Sequence, residues 1–128
     1  MELEKTIETK ILQFLNDIPN AFAFKIQTTG IFDPKTRRFR KIVNPFIWKG
    51  TSDVFCCFNS RMICFEIKRP KPNKTYATKE QKEFLAHIEE SGGYGFVVRS
   101  VDEVKEIMGN LCLEILEDKE TETQAKKC

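Results

Sequence analysis

No two cysteines in this chain are spaced as CxxC, and no cysteine and histidine stand at zinc-binding spacing. A structural zinc site is therefore not expected. Histidine is nearly absent: His87 is the single one, and its position predicts the exposed side of a helix rather than a general base. The five cysteines (Cys56, Cys57, Cys64, Cys112 and Cys128) are odd in number, and three lie in apolar, strand-like runs. They read as small hydrophobes in a reducing compartment rather than as a disulfide framework. No apolar run approaches the ~20 residues that span a bilayer, so no membrane partner is expected. Met1-Glu2-Leu3-Glu4-Lys5 is charged and helical in character, unlike a secretory leader. The expectation is a soluble intracellular protein, in a bacterial cytoplasm or in a host's if the gene is a phage's. A charge excess is missing as well: the net charge of +2 argues neither for nor against nucleic acid.

The chain does have what a core needs. Its 128 residues make one domain, long enough to bury a sizeable core, and they include 11 phenylalanines. Residues 2–17 have helical periodicity, with Ile7, Ile11, Phe14, Leu15 and Ile18 on one face before Pro19-Asn20 ends the helix. Residues 21–28 alternate as a strand, and Asp33-Pro34-Lys35-Thr36 is a turn that predicts a returning strand over 37–43. Two apolar runs on either side of Asn59-Ser60-Arg61 predict an antiparallel hairpin. Thr78-Lys79-Glu80-Gln81 is a capping box opening a helix with Phe84, Leu85 and Ile88 inward, and Ser91-Gly92-Gly93 ends it. A strand over 94–98 follows. A second capping box, Ser100 to Glu103, opens a last helix with Val104, Ile107, Met108 and Leu111 inward. The predicted order is α-β-β-β-β-α-β-α, an α/β (α+β) protein with helices on the faces of a sheet. One domain is expected over residues 1–117, with a disordered polar tail over 118–128. There are no internal repeats.

Three ionisable residues break the apolar strand runs: Asp53, before Val54-Phe55-Cys56-Cys57-Phe58, then Glu66 and Lys68, after Met62-Ile63-Cys64-Phe65. Charges rarely enter such a setting unless paired or bound to a metal. Glu66 and Lys68 are two apart and so share a sheet face, with Ile63, Phe65 and Ile67 on the other. A hairpin turning near Asn59 brings Asp53 opposite Glu66. Two carboxylates and an amine are the equipment for a hard divalent cation beside a phosphodiester. Three more polar residues sit where the pattern points inward. Glu4 lies on the apolar face of the first helix, where it either reaches the site or answers the helix dipole. Gln81 follows the spacing of Phe84, Leu85 and Ile88, and it also closes the capping box. Gly50 either admits a close approach of the backbone or forms an ordinary turn.

As an ordered set, Glu4-x-x-Ile7, Gly50-x-x-Asp53, Glu66-x-Lys68 and Gln81 resemble the motifs of the PD-(D/E)xK nuclease superfamily. The branch that they resemble is the VRR-NUC (virus-type replication-repair nuclease) domain. Lys49-Gly50-Thr51-Ser52-Asp53-Val54 and Thr78-x-x-Gln81-x-x-Phe84-Leu85 add to the likeness, as does the run from Gly92 to Ser100. It spans nearly the whole chain. The resemblance implies a restriction-endonuclease-like αβββαβ core, a central mixed sheet flanked by helices, and a Mg²⁺- or Mn²⁺-dependent endonuclease. By match, Asp53, Glu66 and the Ile67 backbone carbonyl hold the metal, and Lys68 is the catalytic lysine. Gln81 orients water, phosphate or Lys68, and Glu4 is the helix acid near the metal. Glu8 stands where many members have glutamine, which leaves Glu4 and Glu8 as rival helix acids; Glu4 is favoured.

Lys35, Arg37, Arg38, Arg40 and Lys41 crowd one hairpin, and Arg69, Lys71 and Lys74 follow Lys68. Such clusters suit a phosphate backbone. Small stand-alone members of the resembled family look like homodimers acting on branched DNA such as four-way junctions. The expected function is therefore structure-selective DNA cleavage in replication, recombination or repair. The alternative is a catalytically silent DNA-binding or assembly module on a nuclease fold.

Overall fold

The protein is described by a computed structural model, covering residues 4–26, 31–40, 45, 46, 48–70 and 76–127. These form three helices and six strands: α1 (Glu4–Asn16), β1 (Ala21–Phe24), β2 (Ile31–Asp33), β3 (Arg38–Arg40), β4 (Val54–Phe58), β5 (Arg61–Ile67), α2 (Lys79–Glu90), β6 (Tyr94–Val98) and α3 (Val101–Lys127). The main sheet has the order β1-β4-β5-β6. β1 and β5 each pair antiparallel with β4, and β6 pairs parallel with β5. A parallel neighbour needs a crossover, and α2 supplies it. The mixed sheet with its helices is the α+β architecture expected, and α1-β1-β4-β5-α2-β6 is the αβββαβ core.

Local chemistry explains the joints. Asn59 and Ser60 both take positive φ (48° and 68°), giving the two-residue hairpin turn whose twist matches the strands. The Asn16 side chain stops α1 and then serves β1. Its Nδ2 donates to the Ala23 carbonyl at 3.1 Å, and its Oδ1 accepts from the Ala23 N–H at 2.9 Å. One amide thus occupies backbone groups that an edge strand leaves open.

Alternation sorts the sheet into two layers. Val54, Cys56, Phe58, Ile63, Phe65, Ile67 and Val98 pack with Ile7, Ile11 and Leu15 of α1 and with Val104, Met108, Leu111 and Ile115 of α3. The opposite face buries Phe55 and Cys64 against Leu85 of α2, with Phe24, Phe84 and Ile88 half-buried around them, and it also buries Glu66. α2 lies close on β6: a Cβ on Gly95 would stand 3.0 Å from the Leu85 side chain. Burial pushes the thiols of Cys56 and Cys64 up to about 11 and about 12, as suits apolar fillers.

Two expectations need correction. Among the described residues the strand after the Asp33 turn covers 38–40, with 41–43 of the expected strand outside them, and its partner is β2, not β1. Asp33 explains why the hairpin closes on itself: its Oδ1 accepts from the Lys35 N–H and its carbonyl from the Arg37 N–H, at 2.9 Å and 2.8 Å. β2 and β3 touch no other helix or strand among the described residues and form an insertion in the core. The backbone from 118 to 127, read from composition as a disordered tail, is helical. That stretch is polar but mostly made of good helix formers, and it continues an already nucleated helix.

Candidate active site

The register places Val54 opposite Phe65, so Asp53 stands opposite Glu66 where the two strands end together. The backbone pins Asp53 there. Its Oδ2 accepts from the Ile67 N–H at 2.8 Å. A residue's N–H and C=O leave a strand on the same side, so the Ile67 carbonyl also faces the Asp53 side. The Lys68 N–H points the other way and donates to the Val98 carbonyl at 2.9 Å.

Glu66 is 2% exposed, and its two oxygens differ. Oε1 accepts from Gln81 Nε2 at 2.7 Å and lies 3.8 Å from Lys68 Nζ. Oε2 is buried with no donor. The Asp53 carboxyl interacts with that of Glu66, but an ionised carboxylate only accepts, so the two share a hydrogen bond only when a proton lies between them. Burial first, then the Asp53 charge and the hydrogen bond shared with it, push the Glu66 carboxyl up to about 8. Lys68 opposes that rise, and Glu4 adds to it. The Lys68 side chain is 13% exposed, sheltered but open to a ligand.

Gln81 holds Glu66 because the capping box holds Gln81. Its Oε1 accepts from the Thr78 N–H at 2.8 Å, its N–H donates to Thr78 Oγ1 at 3.2 Å, and its NH₂ is left for Glu66. Gln81 thus closes the cap and holds Glu66 at once. Gly50 is more than an ordinary turn. Its φ is +85°, and a Cβ there would lie 2.5 Å from the Glu80 carbonyl carbon and 2.6 Å from Gln81 N. The loop leading to Asp53 therefore presses directly on the first turn of α2.

A buried, donorless oxygen beside a second carboxylate is an arrangement that a cation fits. No group of three or more His, Cys, Asp or Glu among the described residues is set to hold a metal. The donors are two carboxylates and a backbone carbonyl, which suits a hard cation that keeps most of its waters. Of the rival helix acids, Glu8 is engaged elsewhere, its Oε1 3.0 Å from Lys25 Nζ.

The predicted cations divide. Arg69 follows Lys68 directly, and its carbonyl accepts from Arg99 Nη1 at 2.6 Å. Lys35, Arg37 and Arg38 are exposed on the hairpin, and no contact among the described helices and strands brings them to the acids. Arg40 is in β3, but its side chain, like Lys41, Lys71 and Lys74, lies outside the described residues. Sequence reasoning missed Trp48, which sits on α2 against His87 with ring centroids 5.0 Å apart. A lone tryptophan carries little signal by itself; its nearness to Gly50 and Asp53 was the available clue. No helix among the described residues is long and apolar enough to cross a membrane.

The sheet order and the α2 crossover are those of a restriction-endonuclease-like core. No family model matches the sequence, and no curated protein does. Among solved structures, one described as a "VRR_NUC domain protein" is similar with a TM-score of 0.60 and 17% sequence identity, over 84% of this chain and 86% of that one. The fold is therefore the VRR-NUC fold.

Proposed function

We propose that the protein is a metal-dependent endonuclease that cuts phosphodiester bonds in branched DNA, four-way junctions among them. The observation that carries this reading is the Asp53–Glu66 pair with its donorless buried oxygen, flanked by Lys68. Asp53, Glu66 and the Ile67 carbonyl would hold Mg²⁺ or Mn²⁺. Such an ion, when bound, lowers the pKa of its water and offsets phosphate charge. Gln81 keeps the Glu66 carboxylate aimed at the site. As an ammonium, Lys68 orients the attacking water and balances the charge gathering on the phosphate; as the neutral amine it takes up the water's proton. Glu4 adds negative charge that favours a cation. Arg69 and its neighbours Lys71 and Lys74, with the basic hairpin, supply backbone affinity that salt weakens.

The small size of the domain leaves little room for base-reading elements and favours recognition of DNA shape. Two copies related by a two-fold axis would deliver paired cuts across a junction. The exposed Phe22 on edge strand β1 supports such pairing. A place in replication, recombination or repair inside the cell follows from that substrate.

The test is cleavage of labelled duplex, flap and four-way-junction DNA with Mg²⁺ or Mn²⁺, beside EDTA and Lys68→Ala. Metal-dependent cutting that Lys68→Ala abolishes supports the proposal, and the substrates rank the shape preference. DNA retention without cutting under either metal replaces it with the binding-module reading.

A further inference from the structure

We propose that Trp48 and Tyr76 are stacking platforms for unpaired bases, one toward each end of α2, so that the strand entering the site is single-stranded beside the scissile phosphate. The inference rests on the nuclease reading and adds the conformation of the strand that it takes.

Both rings are exposed, Trp48 by 52% and Tyr76 by 70%. Each is also held. The Trp48 ring lies against the His87 imidazole at 56°, and its carbonyl accepts from Thr51 Oγ1 at 2.6 Å. The next residues of its loop are clamped on α2 by Gly50. Tyr76 lies under the Arg99 guanidinium, 5.6 Å from ring centroid to Cζ. Arg99 is itself anchored, with Nη1 on the Arg69 carbonyl and its N–H on Glu103 Oε2 at 2.7 Å. A ring steadied from one side and open to solvent loses little freedom when a base stacks on it.

Their placement brackets the chemistry. Tyr76 comes two residues before the N-cap Thr78. Trp48 rests on His87, six residues past Gln81, which is about 9 Å along a helix. Gln81, bonded to Glu66, lies between them. Lys49 adjoins Trp48, Lys79 follows Tyr76 by three residues, and Arg99 lies over the Tyr76 ring, so stacking surface and phosphate partners occur together, as in grooves for single strands. A continuous duplex hides its base faces inside its own stack. Only unpaired or splayed nucleotides can use these rings, which points to flaps and opened junction arms.

Trp48 is the sole tryptophan, so its emission reports on its own ring. The full chain is titrated in EDTA, and again in Ca²⁺, with three probes: oligothymidylate, a blunt duplex of equal length, and an abasic sugar-phosphate oligomer of equal charge. The expected result is quenching by oligothymidylate alone. Trp48→Ala and Tyr76→Ala each weaken oligothymidylate binding about tenfold, Trp48→Phe keeps it, and duplex affinity is unchanged in all three variants. Equal affinity for the abasic oligomer, or equal quenching by the duplex, overturns the stacking role while leaving the nuclease reading intact. No binding of any probe at low salt overturns both.

Discussion

Phe65 and Glu66 are neighbours in β5, both almost wholly buried, and they face opposite sides of the sheet. Phe65 looks into an apolar layer filled from two helices, and its ring stacks on Phe96 at 5.8 Å. Glu66 looks toward one helix, beside another carboxylate, with an oxygen that finds no donor among the described residues. The first face gains stability from burial. The second gives some up, because the desolvated acid pair is unfavourable until a cation neutralises it. One strand thus separates an apolar face that stabilises the fold from the face that carries the proposed site.

The largest effects test that separation directly. Phe65→Ala is expected to cost ~3–5 kcal/mol, read by chemical denaturation, and to lower activity only by unfolding the protein. Glu66→Gln keeps the volume and removes the charge, so cleavage falls ~10²–10⁴-fold while the melting temperature holds or rises. Equal loss of stability in both variants would erase the distinction between the faces.

Titration gives the next effect. The Glu66 carboxyl lies at about 8 in the folded protein, above its ordinary value of 4.5. Between these pH values the folded chain keeps a proton that the unfolded chain releases. This contribution is therefore full below pH 4.5 and is lost as pH rises through about 8. In EDTA, denaturation midpoints should fall across that window, and Glu66→Gln should flatten the fall. Metal competes with the same proton. Calorimetry should show proton release on binding, with affinity rising about tenfold per pH unit below the Glu66 value.

Much of this was legible in the chain because it depends on short-range pattern. Period-two alternation put Glu66 and Lys68 on one face, and the tight turn at Asn59-Ser60 set the register that brings in Asp53. Thr78 and Gln81 announced the start of α2. What stayed hidden depends on distance through space. Asp33-Pro34-Lys35-Thr36 signalled a turn but could not say which strand would pair across it, and β2 took the place given to β1. The basic hairpin looked close to the acids in sequence, yet it meets none of the core elements described. Gly50 reads the same whether it turns in solvent or presses on Gln81.

Gly50→Ala probes that last point, with a smaller effect. The positive φ and the crowded Glu80 backbone together cost ~1–3 kcal/mol. The loop must lift off α2, so Asp53 and Gln81 move apart. Cleavage at saturating DNA should fall about tenfold, the step expected from misplacing groups by a fraction of an ångström. Thr78→Ala, which removes the cap but leaves the loop, should cost ~1 kcal/mol and disturb activity less, as steady-state rates beside melting curves would show.

The smallest effects decide between two acids one turn apart on α1. Glu4 and Glu8 flank the buried Ile7, but their surroundings differ. Glu8 is held by Lys25 in a partly exposed pair, so Glu8→Ala should change stability by less than ~1 kcal/mol and leave cleavage alone. Glu4 contributes to raising the Glu66 carboxyl, so its field reaches the site. Removing it should lower the Glu66 midpoint and make the metal-free protein less sensitive to alkaline pH. It should also weaken activation by Mg²⁺ a few-fold, since a site with less negative charge holds a cation less tightly. Metal titrations of both alanine variants at one pH separate the two. A weakened response in Glu8→Ala with none in Glu4→Ala would reverse the assignment, and would mean that Lys25 yields Glu8 to the site when the cation arrives.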